Sequence, residues 1–163
     1  MTLLLDFFKN YILLAALCSW LITQVLKFFV AWITEGHPDF RRLFGDGGMP
    51  SGHTATVICM SVMAGYTCGF ASPLFGIAFL FAIVVMHDAT GVRRETGKQA
   101  VVLLDIFSTL GDALFEGDSI RRREKLKTMV GHTPMQVFFG AIVGLIVAIL
   151  FIWIFGITYK VYA

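Results

Sequence analysis

The chain has 163 residues, of which 57% are hydrophobic and only 15% are charged, and its mean hydropathy is +0.78. A soluble domain of this length cannot hide that much apolar surface, so the composition indicates an integral membrane protein. Several helices of about 20 residues, each able to cross a ~30 Å hydrocarbon core, use up the whole length, and we expect a single domain over residues 1–163. The three cysteines form no metal-binding pattern and are interpreted as small core residues.

Four apolar runs of the sequence predict membrane-spanning helices. Prolines at positions 50 and 73 favour a helix start at the second and third runs. The single charge inside the first run is Lys27. The four runs cover residues 11–33, 51–68, 73–86 and 135–159.

A long charged segment, residues 88–134, separates the third run from the fourth. Within it residues 101–115 are apolar but carry Asp105 and Asp112. Two carboxylates near the centre of a span would cost about 2.5–3.5 kcal/mol each, so this stretch is predicted to be an interfacial or bundle-packed helix rather than a span. The sequence therefore predicts an all-α transmembrane bundle of about four spans plus one interfacial helix.

The distribution of charge predicts the orientation of the bundle. In a four-span protein, residues 34–50 and 88–134 lie on the same side, and together they hold ten of the thirteen lysines and arginines. By the positive-inside rule we expect both loops to be cytoplasmic. The basic cluster at residues 121–127 is interpreted as a solvated part of this loop, and attraction of anionic lipid head groups is the functional alternative.

Residues 47–54 read GGMPSGHT, a glycine-rich approach to a helix that opens with a serine. The N–H groups in the first turn of such a helix, together with the helix dipole, form an anion site. The imidazole of His53 lies in the same turn. Simple helix capping by Ser51 is the structural alternative, and the residues alone leave both interpretations open.

The sequence Pro-Ser-Gly-His resembles the central motif of the type 2 phosphatidic acid phosphatases and the related vanadium haloperoxidases, and the chain resembles their divergent, membrane-embedded branch. The resemblance implies that Ser51 and Gly52 bind phosphate and that His53 protonates the leaving oxygen. In that superfamily a lysine, followed after six residues by Arg-Pro, precedes this motif. Lys27 is the candidate counterpart here and is predicted to contact the phosphate, and a snorkelling side chain without a ligand is the alternative. No Arg-Pro follows it, and Arg42 or its neighbour Arg41 is the candidate to supply the guanidinium.

The third motif of the superfamily, Ser-Arg followed by a histidine and an aspartate, is matched by residues 131–136, which read GHTPMQ. The resemblance implies that His132 is the nucleophile and forms a phosphohistidine. Gln136 takes the position of the usual carboxylate. An amide can fix the tautomer of His132, but it cannot neutralise an imidazolium.

Other residues are candidates for the parts of the third motif that the chain lacks. No Ser-Arg precedes His132 at the usual distance, so Arg93 and Arg94 are predicted to bind the phosphate. Asp88 is a candidate for the missing carboxylate, and a structural salt bridge to a nearby arginine is the alternative. His37 and His87 have no companions at metal-ligand spacing and are interpreted as structural, so no metal site is predicted.

The resemblance implies a membrane phosphatase that hydrolyses a phosphomonoester or diphosphate on a membrane lipid and needs no cofactor. The alternative is a non-enzymatic protein that binds or transports a lipid phosphate at the same anion site. The expected partners are a phosphorylated lipid and the membrane, without nucleic acid. A homo-oligomer is compatible with the sequence.

Overall fold

The computed structural model describes residues 7–38, 40, 48–114 and 132–159, with backbone alone for residues 93 and 107–114. In this part of the chain all regular structure is helical, which confirms the predicted all-α class. The helices are α1 (Tyr11–Glu35), α2 (Gly52–Cys68), α3 (Pro73–Thr90), α4 (Val92–Leu114) and α5 (Pro134–Phe155).

Helix α2 lies at the centre of the bundle and packs against α1, α3 and α5. It has 17 residues, which at 1.5 Å per residue gives a length of about 26 Å. Most of its inward positions are small, such as Ala55, Cys59 and Ala64, all of them buried. Small residues let helix backbones approach closely in a membrane, where apolar contact with lipid is as favourable as contact with another helix.

The closest approach to α2 is made by two glycines of α5, Gly140 and Gly144. A Cβ added at Gly140 would lie 2.6 Å from the carbonyl oxygen of Ser51, and one added at Gly144 would overlap the carbonyl oxygen of Ala55. These glycines form a G-x-x-x-G motif, which our sequence analysis did not single out. Because the atoms in the way belong to backbone, neither position can take a larger residue without moving a helix.

The outer surface of the bundle is apolar. The buried core is a small cluster of α1, α2 and α5 residues that includes Ala15, Met63 and Val147, whereas larger side chains such as Ile33 and Trp153 point outward and are exposed. Such a surface suits lipid rather than water. Three helical runs are long and apolar enough to cross a membrane: Tyr11–Glu35, Pro73–Ile106 and Pro134–Phe155.

The predicted number of spans is compatible with this structure. Helix α2, which corresponds to the second predicted span, is not among the three runs because it is short and rich in small polar residues. The run Pro73–Ile106 contains 34 residues, which would measure about 51 Å if straight. A hydrocarbon core of ~30 Å is filled by α3 alone, so we expect α4 to begin near its edge.

Helix α4 begins at Val92, nine residues before the predicted start at residue 101, so that boundary was wrong. The charged residues before position 101, which led us to begin the apolar helix there, are themselves helical. Lys98 donates a hydrogen bond to the carboxylate of Glu95 at 2.6 Å, three residues away on the same face. Gly97 and Ala100 are buried, whereas Asp105 is exposed. This two-sided pattern is typical of an interfacial or bundle-packed helix.

Candidate functional site

The first turn of α2 is fixed by the side chain of Ser51. Its Oγ accepts hydrogen bonds from the Thr54 backbone N–H at 3.4 Å and from the Thr54 hydroxyl at 3.0 Å, and Ser51 is fully buried. Ser51 therefore caps the helix, as the structural alternative states. In any α-helix the first N–H groups bond to acceptors outside the helix, and those of Gly52 and His53 belong to this turn, so capping is compatible with the predicted anion site.

Lys27 lies against this helix start. Its side chain comes from α1 and is only 4% exposed. A Cβ added at Gly52 would lie 3.6 Å from the Lys27 Nζ, in ordinary van der Waals contact, so the amine lies close to the first turn of α2. An ammonium group and the positive end of a helix dipole adjoin here, and both favour a bound anion.

The segment before α5 joins three helix ends. The backbone N–H of His132 donates to the carbonyl oxygen of Ala89, near the end of α3, at 2.9 Å. The N–H of Ser51 donates to the carbonyl oxygen of Gln136, in the first turn of α5, at 3.0 Å. His132 is thereby held beside the start of α2, and its ring centroid lies 6.1 Å from that of His53, with 58° between the ring planes.

Gln136 determines which nitrogen of His132 carries the proton. Gln136 and Thr133 form a capping box in which Thr133 Oγ1 accepts from the Gln136 N–H and Gln136 Oε1 accepts from the Thr133 N–H at 2.9 Å. The same Oε1 lies 3.2 Å from the Nδ1 of His132. Because an amide oxygen only accepts, Nδ1 is the donor in this contact, and in the neutral ring Nε2 then carries the lone pair.

The remaining predicted site residues are Asp88, Arg94, Arg93 and Arg42. Asp88 is partly buried and directly precedes Ala89, whose carbonyl receives the His132 N–H. Arg94 is exposed in the first turn of α4. The side chain of Arg93, together with Arg41, Arg42 and the basic cluster at residues 121–127, lies outside the described part of the chain. The catalytic and phosphate-binding roles of all these residues stay predictions.

A line of buried polar residues on α1 was missed by the sequence analysis. The Ser19 hydroxyl donates to the carbonyl oxygen of Ala55 at 3.1 Å, and the Thr23 hydroxyl donates to that of Ser19 at 2.6 Å. Gln24 is also buried. The available signal was the spacing of four residues from Ser19 to Thr23 to Lys27, which puts three polar groups on one face of an apolar helix.

Fold and site together define a helical membrane protein with a serine-capped internal helix start, two histidines beside it and a buried lysine. Residues 8–147 match the model of the Divergent PAP2 family, and the chain belongs to that family, as its resemblance to the phosphatase superfamily predicts. The chain is similar to the "Uncharacterized membrane protein YuiD" of Bacillus subtilis (strain 168), with 31% identity over 157 residues, 93% of this chain and 99% of the relative. No solved structure matches.

Proposed function

We propose that this protein is a membrane-embedded phosphatase that hydrolyses a phosphomonoester or diphosphate on a lipid. The observation that carries the proposal is the position of His53 and His132, whose ring centroids are 6.1 Å apart beside the capped start of α2. Rings held this close can both contact one phosphate group. Membership of a family related to the phosphatidic acid phosphatases supports the same class.

The first chemical step is phosphoryl transfer to His132. Its Nε2 donates the lone pair to phosphorus, the N–P bond forms, and the bond from phosphorus to the lipid alcohol breaks. The alcohol oxygen takes a proton from His53, which acts as the general acid. The products of this step are a phosphohistidine and the free lipid alcohol, or the lipid monophosphate if the substrate is a diphosphate.

The second step is hydrolysis of the phosphohistidine. His53, now neutral, takes a proton from water while the water oxygen attacks phosphorus and the P–N bond breaks. Inorganic phosphate leaves, and His132 regains its lone pair on Nε2. Gln136 holds the Nδ1 proton of His132 in place through both steps.

Charge on the transferring phosphoryl group is stabilised by groups that are already in position. The Lys27 ammonium and the N–H groups of Gly52 and His53 contact the equatorial oxygens. The Ser51 hydroxyl oxygen already accepts two hydrogen bonds from Thr54, so Ser51 contributes only by donating its O–H. Arg94, Arg93 and Arg42 are proposed to supply further positive charge. The scheme uses no metal or other cofactor.

We also infer the direction from which the substrate enters. The positive-inside rule assigns loops 34–50 and 88–134 to the cytoplasm, and the starts of α2 and α5 follow these loops. The head group therefore enters from the cytoplasmic face, while its hydrocarbon tail stays in the bilayer.

Gln136 favours a second candidate function, a non-enzymatic lipid-phosphate binder. Transfer to His132 generates a positive ring, which a carboxylate at this position would neutralise and an amide does not. The same anion site at Gly52 and Lys27 would bind a lipid phosphate without turning it over. Turnover separates the two candidates.

The test is release of inorganic phosphate by the purified protein in detergent from a panel of lipid mono- and diphosphates, with and without vanadate. We expect vanadate-sensitive release that His132→Ala abolishes, because the nucleophile is lost, and that His53→Ala slows. His87→Ala, at an exposed histidine of α3, is the matched control and should keep the wild-type rate. Saturable phosphate binding without release would support the binder, and wild-type turnover by His132→Ala would exclude the mechanism.

A further inference from the structure

Gln24 is a buried amide in a membrane-spanning helix. Its side chain is 8% exposed, and its Oε1 has no hydrogen-bond partner among the residues that the structure describes. The neighbouring hydroxyls of Ser19 and Thr23 both donate to backbone carbonyl oxygens. Buried polar atoms nearly always have a partner, so this oxygen is placed to receive a donor from a bound molecule.

A donor group that binds the Oε1 of Gln24 would lie beside the proposed phosphate site. Trp20 and Lys27 lie four residues before and three residues after Gln24, so the three side chains follow one stripe of α1. Both neighbours on the stripe reach the start of α2: a Cβ at Gly52 would lie 3.7 Å from Trp20 Cδ1 and 3.6 Å from Lys27 Nζ. Gln24 therefore lies along α1 between two residues whose side chains approach the first turn of α2, and it is level with that turn.

The chemistry of the oxygen limits what it can bind. An amide oxygen is an acceptor only, so its partner must carry an N–H or O–H. A fully ionised phosphate has no such donor, and neither does a hydrocarbon chain. The nearby Lys27 ammonium disfavours a second cation, such as an amine, and leaves a neutral hydroxyl as the best match.

We propose that Gln24 is a specificity-determining residue that accepts a hydrogen bond from a hydroxyl on the carbon next to the phosphoester carbon of the substrate. The substrate class is then lipid phosphates with a hydroxylated, glycerol-type backbone, rather than polyprenyl or alkyl phosphates. This inference rests on the proposed function, because it uses the same phosphate site.

The experiment compares two single-chain lipids of similar length, oleoyl lysophosphatidic acid, which has the hydroxyl, and oleyl phosphate, which does not. Binding to the purified full chain in detergent is measured from the ligand-induced rise in Tm, and kcat/KM from phosphate release. We expect the wild type to bind the hydroxylated lipid at least about fivefold more tightly, the worth of one neutral hydrogen bond.

Gln24→Leu should remove the preference by weakening only the hydroxylated lipid. Its Tm without ligand should be equal to or above that of the wild type, because an apolar side chain of similar size replaces a buried polar one. Thr23→Val is the matched control: the hydroxyl it removes already bonds to Ser19, so the lipid preference should persist.

The outcomes separate this inference from the proposed function. Equal binding of the two lipids by the wild type, or a preference that survives in Gln24→Leu, overturns the inference. A preference in binding that Gln24→Leu abolishes, with no phosphate released from either lipid, supports the inference and overturns the phosphatase. Turnover of both lipids at equal kcat/KM and equal affinity supports the phosphatase and overturns the role of Gln24.

Discussion

At Gln136 an amide occupies the position in which the superfamily has a carboxylate. It receives the Thr133 N–H and faces the Nδ1 of His132, so it orients both the start of α5 and the imidazole. What it lacks is charge. The orientation depends on a side-chain oxygen and not on charge. A glutamate at this position would therefore restore the charge without losing the cap.

Gln136→Glu should raise phosphate release roughly tenfold, because a charge-assisted hydrogen bond to His132 replaces a neutral one when the ring becomes positive. Glutamate also completes a capping box at this position, so the fold should be unaffected. The measurement is kcat, together with the amount of acid-labile phosphohistidine. Gln136→Leu is the comparison and should lower both kcat and Tm, and an unchanged or lower kcat in Gln136→Glu would contradict the role of charge.

The sequence predicted the proximity of His53 and His132 better than it predicted the residues around them. His53 and His132 could be assigned to one end of the bundle because each follows a loop on the same side of a four-span protein. Gln24 belongs to no motif, and an amide inside an apolar run says nothing about its partners until the packing of α1 is known. The capping box at Thr133 and Gln136 was visible in the sequence, but the superfamily motif accounts for Gln136 only as the replacement of a carboxylate.

At the scale of helices, the starts of α2, α3 and α5 were predictable because serine or threonine caps and early prolines mark them. The start of α4 was not, since its first turns are charged and the apolar pattern appears only later. The faces that α2 and α5 present to each other could not be predicted either. A G-x-x-x-G motif identifies a close contact only when its partner helix is known.

Gly140→Ala should lower Tm and reduce phosphate release, because its Cβ would lie 2.6 Å from the Ser51 carbonyl oxygen at the start of α2. Overpacking of this kind costs typically about 1–3 kcal/mol. The matched control is Gly76→Ala in α3, where a Cβ would meet nothing within 4 Å. The control should leave Tm unchanged or raise it, since alanine favours a helix more than glycine does. Equal effects of the two substitutions would contradict the close contact.

At the scale of the whole molecule, each end of the bundle has exposed positions at which an introduced cysteine can be labelled. His37 follows the end of α1 and Thr133 precedes α5, and both are exposed, whereas Ala71 is exposed in the turn between α2 and α3. Thr54 is fully buried and would report poorly. Single cysteines at the three exposed positions therefore test both topology and orientation.

In a background without Cys18, Cys59 and Cys68, we expect a membrane-impermeant thiol reagent on intact cells to label Ala71→Cys and to spare His37→Cys and Thr133→Cys. All three should react once the membrane is permeabilised, which controls for reactivity. Labelling of His37→Cys and Thr133→Cys but not Ala71→Cys would reverse the orientation. Labelling of only one of the two variants His37→Cys and Thr133→Cys would place His53 and His132 on opposite faces of the membrane. The two histidines could then not share a phosphate.

The hydrogen bond from Ser51 to Gln136 also bears on how the protein is made. Lys27 and the α2 start emerge from the ribosome well before residues 132–155, yet the α2 start is completed by the backbone of α5. A nascent chain with only its first three helices in the bilayer has Lys27 and the Ser51 cap, but it lacks His132 and α5. On the proposed mechanism the site is therefore complete only when the last helix inserts, so a partly synthesised chain could not hydrolyse the lipids of the membrane that receives it.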